Sequence, residues 1–432
     1  MAPTSLFLET RTMIRKNRSL SHLPCLLTTV WGISSGAQAD LISDSTASIE
    51  ARNMYMNRDF RQSGAPQSKA EEWAQGFTAR FVSGFTDGTV GVGLDAIGET
   101  AIKLDSSRDR HGTGLLPYDS HGEPEDTYSE LGLTAKLRAS NTVLRVGTLQ
   151  PQLPVAAYND TRLLSSTYAG GLLTSQEIEG LTLNAGRLEK INRRDSSHNE
   201  EMNYTGVDSA HLDLLGGTYA VTPNLSLSYY YAQMEDIYQQ NYAGLVHNAS
   251  LGEGISLKTD LRYFDTVEAG DHRYRSANRV DGGRIDNRFF NGMLTLGVGA
   301  HKFGVGYQNL SGDGDFAYPG LDPYSVNLVT INVFTKAGTD AWQARYDYDF
   351  AALGMPGLTF MTRYVYGKNV QTATVRDGSE WERDTDLAYA FQDGYLKGFN
   401  VRLRNATFRS GDGLRTDIDE NRIILGYTLP LF

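Results

Sequence analysis

Apolar and polar side chains alternate at every second position along several stretches of the chain. The clearest are YSELGLTAKLRA (128–139), ISLKTDLRYF (255–264) and AWQARYDYDF (341–350). A period of two places the apolar side chains of a β-strand on one face and the polar ones on the other. In NVRLRNATF (400–408), Arg402 and Arg404 share the polar face. A soluble sandwich would expose these arginines to water, whereas a membrane barrel would direct them into its lumen.

The connections between the predicted strands fall into two length classes that alternate along the chain. Eight are short turns, at 86–88, 140–141, 179–180, 222–224, 252–254, 301–302, 355–357 and 393–394. Nine are longer polar stretches, at 61–72, 105–126, 149–175, 191–208, 236–241, 266–287, 311–339, 368–383 and 409–419. Together they join 18 strands and leave both chain ends at the rim of the short turns. This alternation is typical of an outer-membrane barrel and is not expected of a sandwich. We therefore predict an all-β fold, an 18-stranded antiparallel transmembrane β-barrel with short periplasmic turns and long extracellular loops.

The first 39 residues have the features of an export signal. The basic stretch RKNR (15–18) precedes a short apolar segment, and AQA (37–39) forms an A-x-A cleavage site. We predict that residues 1–39 are removed and that residues 40–432 form a single barrel domain. The expected location is the outer membrane of a Gram-negative bacterium.

Composition narrows the classes of function further. The chain has 40 Lys and Arg against 51 Asp and Glu, a net charge of −11, so we expect no nucleic-acid partner. Cys25, the only cysteine, lies in the predicted leader, which excludes disulfides and thiolate metal sites from the mature chain. The acidic runs at 313–315 and 417–420 are explained most simply as solvated loop carboxylates. We predict no metal, no cofactor and no catalytic residue, because no nucleotide-binding or hydrolase motif is present.

The chain resembles the OprD family of substrate-specific outer-membrane porins over nearly all of its mature length. The segments that carry the resemblance are IEARNMYMNRDFR (49–61), EEWAQGFTARFVSGFTDGTVGVGLDAIG (71–98), SQEIEGLTLNAG (175–186), AWQARYDYDF (341–350), GMPGLTFMTRYVYGK (354–368) and FNVRLRNATFRS with DIDENRIILGYTLPLF (399–432). The resemblance implies an 18-stranded barrel narrowed by inward-folded loops, with a ladder of basic side chains that guides carboxylates. Outer-membrane lipid and lipopolysaccharide would surround it. Phe432 resembles the signal for the barrel-assembly machinery, and either a monomer or a weakly associated trimer is expected.

Within that family the RNATFRS and DIDENR segments are similar to the OpdK-like branch. This similarity implies passive uptake of small carboxylates, chiefly cyclic or aromatic acids of the benzoate and vanillate type. The alternative is the OprD-like branch, which takes basic amino acids and small peptides and also admits carbapenem-like antibiotics. A remoter alternative is a barrel hydrolase, which would need a nucleophile beside a histidine such as His211. We expect a channel and not an enzyme.

A basic ladder on one wall is the first predicted site. Its members would be Arg58, Arg61, Arg363, Arg402, Arg404 and Arg422. The resemblance carries this role most directly to Arg58, Arg402, Arg404 and Arg422, and it aligns Ala388 with a lysine of the family, so one rung is missing here. Arginine suits the task because it stays charged and presents a planar fork to a carboxylate. Each arginine, and Arg345 in particular, could instead be held in an ion pair with a lumen acid such as Asp347, Asp349 or Glu130.

A constriction formed by two loops is the second predicted site. The stretches 149–171 and 311–339 are long and unusually apolar, which suggests burial inside the lumen. Their candidate eyelet residues are Tyr158, Arg162, Tyr318, Asp322 and Tyr324. The competing interpretation is that the aromatic residues only pack the loops against the barrel.

Overall fold

The structure is a computed structural model that describes residues 41–62, 65–320 and 322–432. The predicted leader at 1–39 lies outside these residues. Eighteen strands make up the barrel: β1 (Thr46–Phe60), β2 (Lys69–Val82), β3 (Val90–Asp105), β4 (Thr127–Ala139), β5 (Thr142–Leu149), β6 (Thr167–Ile178), β7 (Leu181–Asn192), β8 (Leu212–Thr222), β9 (Leu225–Met234), β10 (Tyr238–Gly252), β11 (Ile255–Glu268), β12 (Asp286–Val298), β13 (His301–Asp313), β14 (Asp340–Asp349), β15 (Leu358–Val370), β16 (Gly378–Ala390), β17 (Asn400–Ser410) and β18 (Ile418–Pro430).

Every barrel strand pairs antiparallel with its neighbours in the chain, and β1 closes the sheet by pairing with β18. The closing register runs from Ser48 opposite Pro430 to Phe60 opposite Ile418. Closure gives every strand two partners, so no sheet edge is left open to lipid. The predicted 18-stranded antiparallel barrel is confirmed.

The loops contain the remaining regular structure. Four short strands occur at Gln152–Leu153, Ala156–Ala157, Asn199–Tyr204 and Val207–Ser209, and three 3-10 helices occur at Val280–Gly283, Phe350–Leu353 and Gly394–Leu396. Over the described part of the chain, none of the helices is long and apolar enough to cross a membrane.

Two predicted connections were placed wrongly. The turn assigned to 301–302 lies at 299–300, where Gly299 takes a φ of 57°, a left-handed conformation that glycine adopts without strain. The long stretch assigned to 236–241 is a turn of only three residues, 235–237. The polar residue Gln240 suggested a loop. It lies in β10, and its side chain is buried inside the barrel.

The two faces of the sheet differ as a membrane barrel requires. Leu403 and Ile423, which are paired across β17 and β18, face outward with 47% and 44% of their surface exposed. Glu420 and Arg422, on the opposite face of β18, are 0% and 2% exposed. The apolar face is therefore the outer one, and the arginines of the alternating strands point inward.

The lumen is filled unevenly. A large apolar cluster lines β5 to β13 and includes Tyr168, Tyr238, Phe264 and Phe289. A smaller cluster joins β1 to β4 with the loops at 106–126 and 150–166. Three cavities inside the barrel border β13 to β18 and β1. The open path through the barrel therefore runs along one wall.

An arginine on the outer face should destabilise the barrel. We expect Leu403→Arg to lower the free energy of unfolding in lipid by about 2–4 kcal/mol, because a cation is poorly solvated among acyl chains. Urea unfolding in vesicles measures this change. Leu403→Phe is the matched control, and equal stability of the two variants would show that Leu403 does not contact lipid.

Candidate functional site

The wall beside the open path carries a continuous row of charged side chains. Across neighbouring strands, Arg345 lies opposite Arg363, and Arg404 lies opposite Arg422. Arg58 of β1 lies opposite Glu420 of β18, so barrel closure extends the row from β14 to β1. The structure thus brings five of the six predicted ladder residues to one wall: Arg58, Arg363, Arg402, Arg404 and Arg422.

Arg61 does not join this wall. Arg61 follows the last residue of β1, Phe60, and the alternation that directs Arg58 into the lumen gives position 61 the outward face. Its guanidinium is half exposed and pairs with Asp59 at 2.8 Å and with Asp419 at 2.9 Å. Both acids lie at positions whose side chains face outward from the barrel. The placement of Arg61 on the ladder was therefore wrong.

Each arginine of the wall is held by a carboxylate. Arg58 Nε lies 2.6 Å from Glu420 Oε2, and Arg422 also pairs with Glu420. The same arrangement joins Arg363 to Asp384 at 2.7 Å, Arg404 to Asp386 at 2.6 Å, Arg402 to Asp386 at 3.4 Å and Arg345 to Asp347 at 2.7 Å. The sequence analysis named Asp347 as a partner but missed Asp384, Asp386 and Glu420. Their inward position on β16 and β18 was available from the alternation pattern.

Two loops fold into the lumen, as the sequence predicted. The loop at 314–339, called loop 7, is fixed by Glu382 of β16. Its carboxylate accepts the backbone N–H groups of Thr330 and Ile331 at 2.9 and 2.8 Å and of Asn332 at 2.8 Å. The loop at 150–166, called loop 3, is fixed by Glu99, which accepts the Ser165 hydroxyl at 2.6 Å.

The tip of loop 3 meets loop 7 and the arginine wall. Arg422 donates to the carbonyl of Thr161 in loop 3 at 3.4 Å and to that of Thr330 in loop 7 at 3.0 Å. Asn159 of loop 3 donates to Asp322 of loop 7. From β1, Arg52 donates to the Arg162 carbonyl at 2.7 Å. These contacts bring the two loops together over the ladder.

The space at this junction, called the central cavity, has a volume of about 560 Å³. It is lined by Arg58, Arg162, Arg194, Arg363, Arg404, Arg422, Tyr318 and Asp322, among others. The predicted eyelet residues Arg162, Tyr318 and Asp322 are thus brought together. Tyr158 and Tyr324 instead pack against the apolar filling, where Tyr324 lies under the Arg262 guanidinium at 4.0 Å. That geometry favours packing for these two residues.

Arg194 is a member of the site that the sequence analysis missed, because it comes from a different loop, at 193–211. It donates to Asn159 Oδ1 at 2.9 Å and to Thr161 Oγ1 at 2.8 Å. Among the described residues, neither Arg194 nor Arg162 has a carboxylate at salt-bridge distance. Burial lowers the pKa of Arg162, and the positive charges of Arg422 and Arg194 lower it further. The central cavity therefore concentrates cations that an anion would stabilise.

His211 has partners that the sequence did not reveal. Its Nε2 lies 3.4 Å from Asp213, and its Nδ1 lies 3.5 Å from Glu235. Both ring nitrogens face carboxylates, so neither is positioned to take a proton from a hydroxyl nucleophile. This arrangement does not favour hydrolysis.

Comparisons with known proteins agree with this architecture. A family model described as outer membrane porin, OprD family, matches residues 39–431. Porin-like protein GalP of Pseudomonas putida is 36% identical over 396 residues, covering 90% of this chain and 93% of that protein. The crystal structure of Pseudomonas aeruginosa OccK9 (OpdG) is 44% identical, with a TM-score of 0.86, and covers 90% of this chain and 100% of its own. That of Pseudomonas aeruginosa OpdK with vanillate is 36% identical, with a TM-score of 0.84 and the same coverage.

Removing the carboxylate that holds loop 7 should widen the path. We expect Glu382→Ala to leave three backbone N–H groups without their acceptor, at a cost of about 1–3 kcal/mol for each one that stays buried. Loop 7 would then leave the wall, and single-channel conductance in planar bilayers would rise and fluctuate more. Arg383→Ala is the control, because that side chain is exposed on the other face of the same strand. Equal conductance of the two variants would show that Glu382 does not position the loop.

The selectivity of the channel should depend on pH through Asp322. Burial raises the pKa of this carboxyl above its ordinary value, although Arg194 and Arg162 oppose the shift. Asp322 therefore loses its negative charge at a higher pH than an ordinary aspartate, and anion selectivity should rise as the pH falls through that pKa. Reversal potentials measured in a salt gradient report this change.

Asp322→Asn should show the higher anion selectivity already at neutral pH and a smaller rise on acidification. Asp119→Asn, which removes an exposed loop carboxylate, should behave like the wild type. An unaltered pH profile in Asp322→Asn would show that another group sets it.

Proposed function

Because this chain belongs to the OprD family of outer-membrane porins, we propose that its channel takes up small carboxylates, chiefly cyclic or aromatic acids of the benzoate and vanillate type. Passage is passive, and the basic wall guides the solute. In this proposal residues 1–39 direct export and are then removed.

The excess of cations over carboxylates along the path carries the proposal. Six wall arginines, Arg58, Arg345, Arg363, Arg402, Arg404 and Arg422, share only four acids, Asp347, Asp384, Asp386 and Glu420. Arg162 and Arg194 add two further cations where loops 3 and 7 meet, beside one further acid, Asp322. A strip of positive potential between low-dielectric walls raises the local concentration of anions, although the chain as a whole is negative.

The ion pairs of the wall explain how a solute is bound without being trapped. A paired guanidinium keeps N–H groups that its carboxylate partner does not use, and these groups can donate to a passing solute. Because the partner acid competes for the same cation, each site binds moderately. Arg422 is buried and bound to the loops, so a row of moderate sites allows an anion to pass from Arg404 to Arg402.

The preference for ring-containing acids has two supports. Tyr318 places an aromatic ring in the central cavity beside the cations, so one solute could contact both with its ring and its carboxylate. The second support is that a similar solved structure, OpdK, is described as containing vanillate.

Neutralising Arg402 and Arg404 of the basic wall should reduce anion selectivity. We expect Arg402→Gln with Arg404→Gln to lower the anion-to-cation permeability ratio and to weaken competition by benzoate. Planar-bilayer reversal potentials and block by a panel of carboxylates measure both effects. This double variant leaves the buried carboxylate of Asp386 without its two arginine partners, which costs stability. A triple variant that adds Asp386→Asn removes this unpaired charge and so checks that the barrel still assembles.

Arg61→Gln is the matched control, because it removes one arginine that lies outside the path. If the lumen variants kept the selectivity of this control, the basic wall would not guide the solute. Block by arginine or lysine instead of benzoate would assign the channel to basic amino acids.

A further inference from the structure

A second cavity lies outside the central one, at the rim of the long loops. We call it the outer pocket; its volume is about 530 Å³. It lies between the hairpin of Asn199–Tyr204 and Val207–Ser209, loop 7, and the loop that joins β17 to β18. Its walls include three aromatic rings, Tyr204, Phe316 and Tyr318, and two cations, Lys336 and Arg415.

The two cations differ from the arginines of the wall. Neither Lys336 nor Arg415 has a carboxylate at salt-bridge distance in the part of the chain that the structure describes. Arg415 contacts only a neutral amide, Asn332 Oδ1 at 3.5 Å, and its guanidinium lies over the Phe408 ring at 5.2 Å. These cations need not exchange a protein partner for a solute carboxylate, so they can bind an anion on arrival.

The aromatic rings are fixed in position. Tyr204 is held edge-on by Tyr274, with ring centroids 5.6 Å apart, and by the Arg279 guanidinium, 6.0 Å from its centroid. Phe316 and Tyr318 lie 6.0 Å apart with an interplanar angle of 28°. Fixed aromatic surfaces bind a planar ring at little cost in conformational entropy.

The outer pocket adjoins the central cavity. Tyr318 and Val333 line both spaces. A solute whose ring leaves the outer pocket along Tyr318 therefore meets Arg162 and Arg194 next. The order of side chains places aromatic surface and free cations first, and ion-paired arginines afterwards.

We propose that the outer pocket is a separate capture site for aromatic monocarboxylates arriving from the cell exterior. The ring lies among Tyr204, Phe316 and Tyr318, and the carboxylate pairs with Lys336 and Arg415. The inference rests on the proposed function, since it assumes that the channel conducts such acids. It adds a site that acts on the rate of capture, whereas the central cavity sets selectivity.

Two acids near the pocket limit its affinity. Asp315 lines it, and Asp315 Oδ1 accepts the Ala337 N–H at 2.8 Å. Glu380 is buried nearby with 1% of its surface exposed. Their negative charge weakens the hold of the cations on a carboxylate, so a captured solute is released towards the central cavity.

The test compares block by benzoate added to either side of channels of known orientation. In Lys336→Gln with Arg415→Gln, the association rate from the long-loop side should fall on the order of tenfold, because local electrostatic attraction is lost. The rate from the short-turn side should stay at the wild-type value. Lys368→Gln is the matched control, since it removes a lysine exposed on the outer face at the same end of the barrel.

A second variant tests the contact with the ring. Tyr204→Leu should slow association of benzoate from the long-loop side while leaving that of acetate unchanged. Equal slowing for both acids would contradict recognition of the ring.

Two further outcomes separate the two proposals. If the double variant matched Lys368→Gln while the wild type was anion-selective and blocked by benzoate, the outer pocket would be refuted and the proposed function retained. If benzoate did not block the wild type from either side, both would be refuted.

Discussion

The structure depends on giving hydrogen-bond partners to loop backbone that lies inside the barrel. A buried N–H group without an acceptor is costly, and a loop has no sheet ladder to supply one. Inward-facing glutamates provide the acceptors. Glu382 receives three N–H groups of loop 7, and Glu72 receives those of Gly112, Thr113 and Leu115 at 3.2 Å each. Bonds from backbone N–H to a carboxylate are stronger than neutral ones, so these acids determine where the loops lie.

Anchoring the loops on particular strands divides the lumen into two unlike parts. Apolar loop side chains such as Phe316 pack against inward aromatic residues of β10 to β12 and fill that side. The opposite wall keeps its charged residues, because ion pairs and hydrogen bonds to the loop backbone satisfy them there. This division leaves the solute path beside one wall. The loops that fill the other side are themselves what narrows the lumen.

The sequence predicts the barrel well because alternation and loop length are local properties. It placed Arg363, Arg402, Arg404 and Arg422 on the inner face correctly, since each lies within a regular strand. It failed for Arg61, which lies three residues after Arg58 and therefore has the outward parity of β1. It also failed for Gln240. A polar residue that faces the lumen from a strand cannot be told from a polar loop residue by its type alone.

The composition of the central cavity was less accessible from the sequence. Arg162 and Asp322 could be proposed because their loops are long and apolar. Arg194 could not, since only tertiary contacts with Asn159 and Thr161 bring its loop to theirs. Tyr324 shows the converse error, in which an aromatic residue of the expected loop packs on Arg262 instead of lining the path.

The cations along the path differ in whether they have an ion-pair partner. Their availability to an anion therefore decreases from the long-loop side inward. Lys336, Arg415, Arg194 and Arg162 have no ion-pair partner within the described ranges, whereas Arg422, Arg404 and Arg402 share acids. An anion gains most from the free cations, because binding there displaces no carboxylate. Over the paired arginines it must compete with Glu420 and Asp386, whose contacts with these arginines are already formed. On the proposed function, capture therefore belongs to the outer half of the barrel and release to the inner half. In that proposal an acidic chain conducts anions because its negative charges serve as anchors and competitors along the wall.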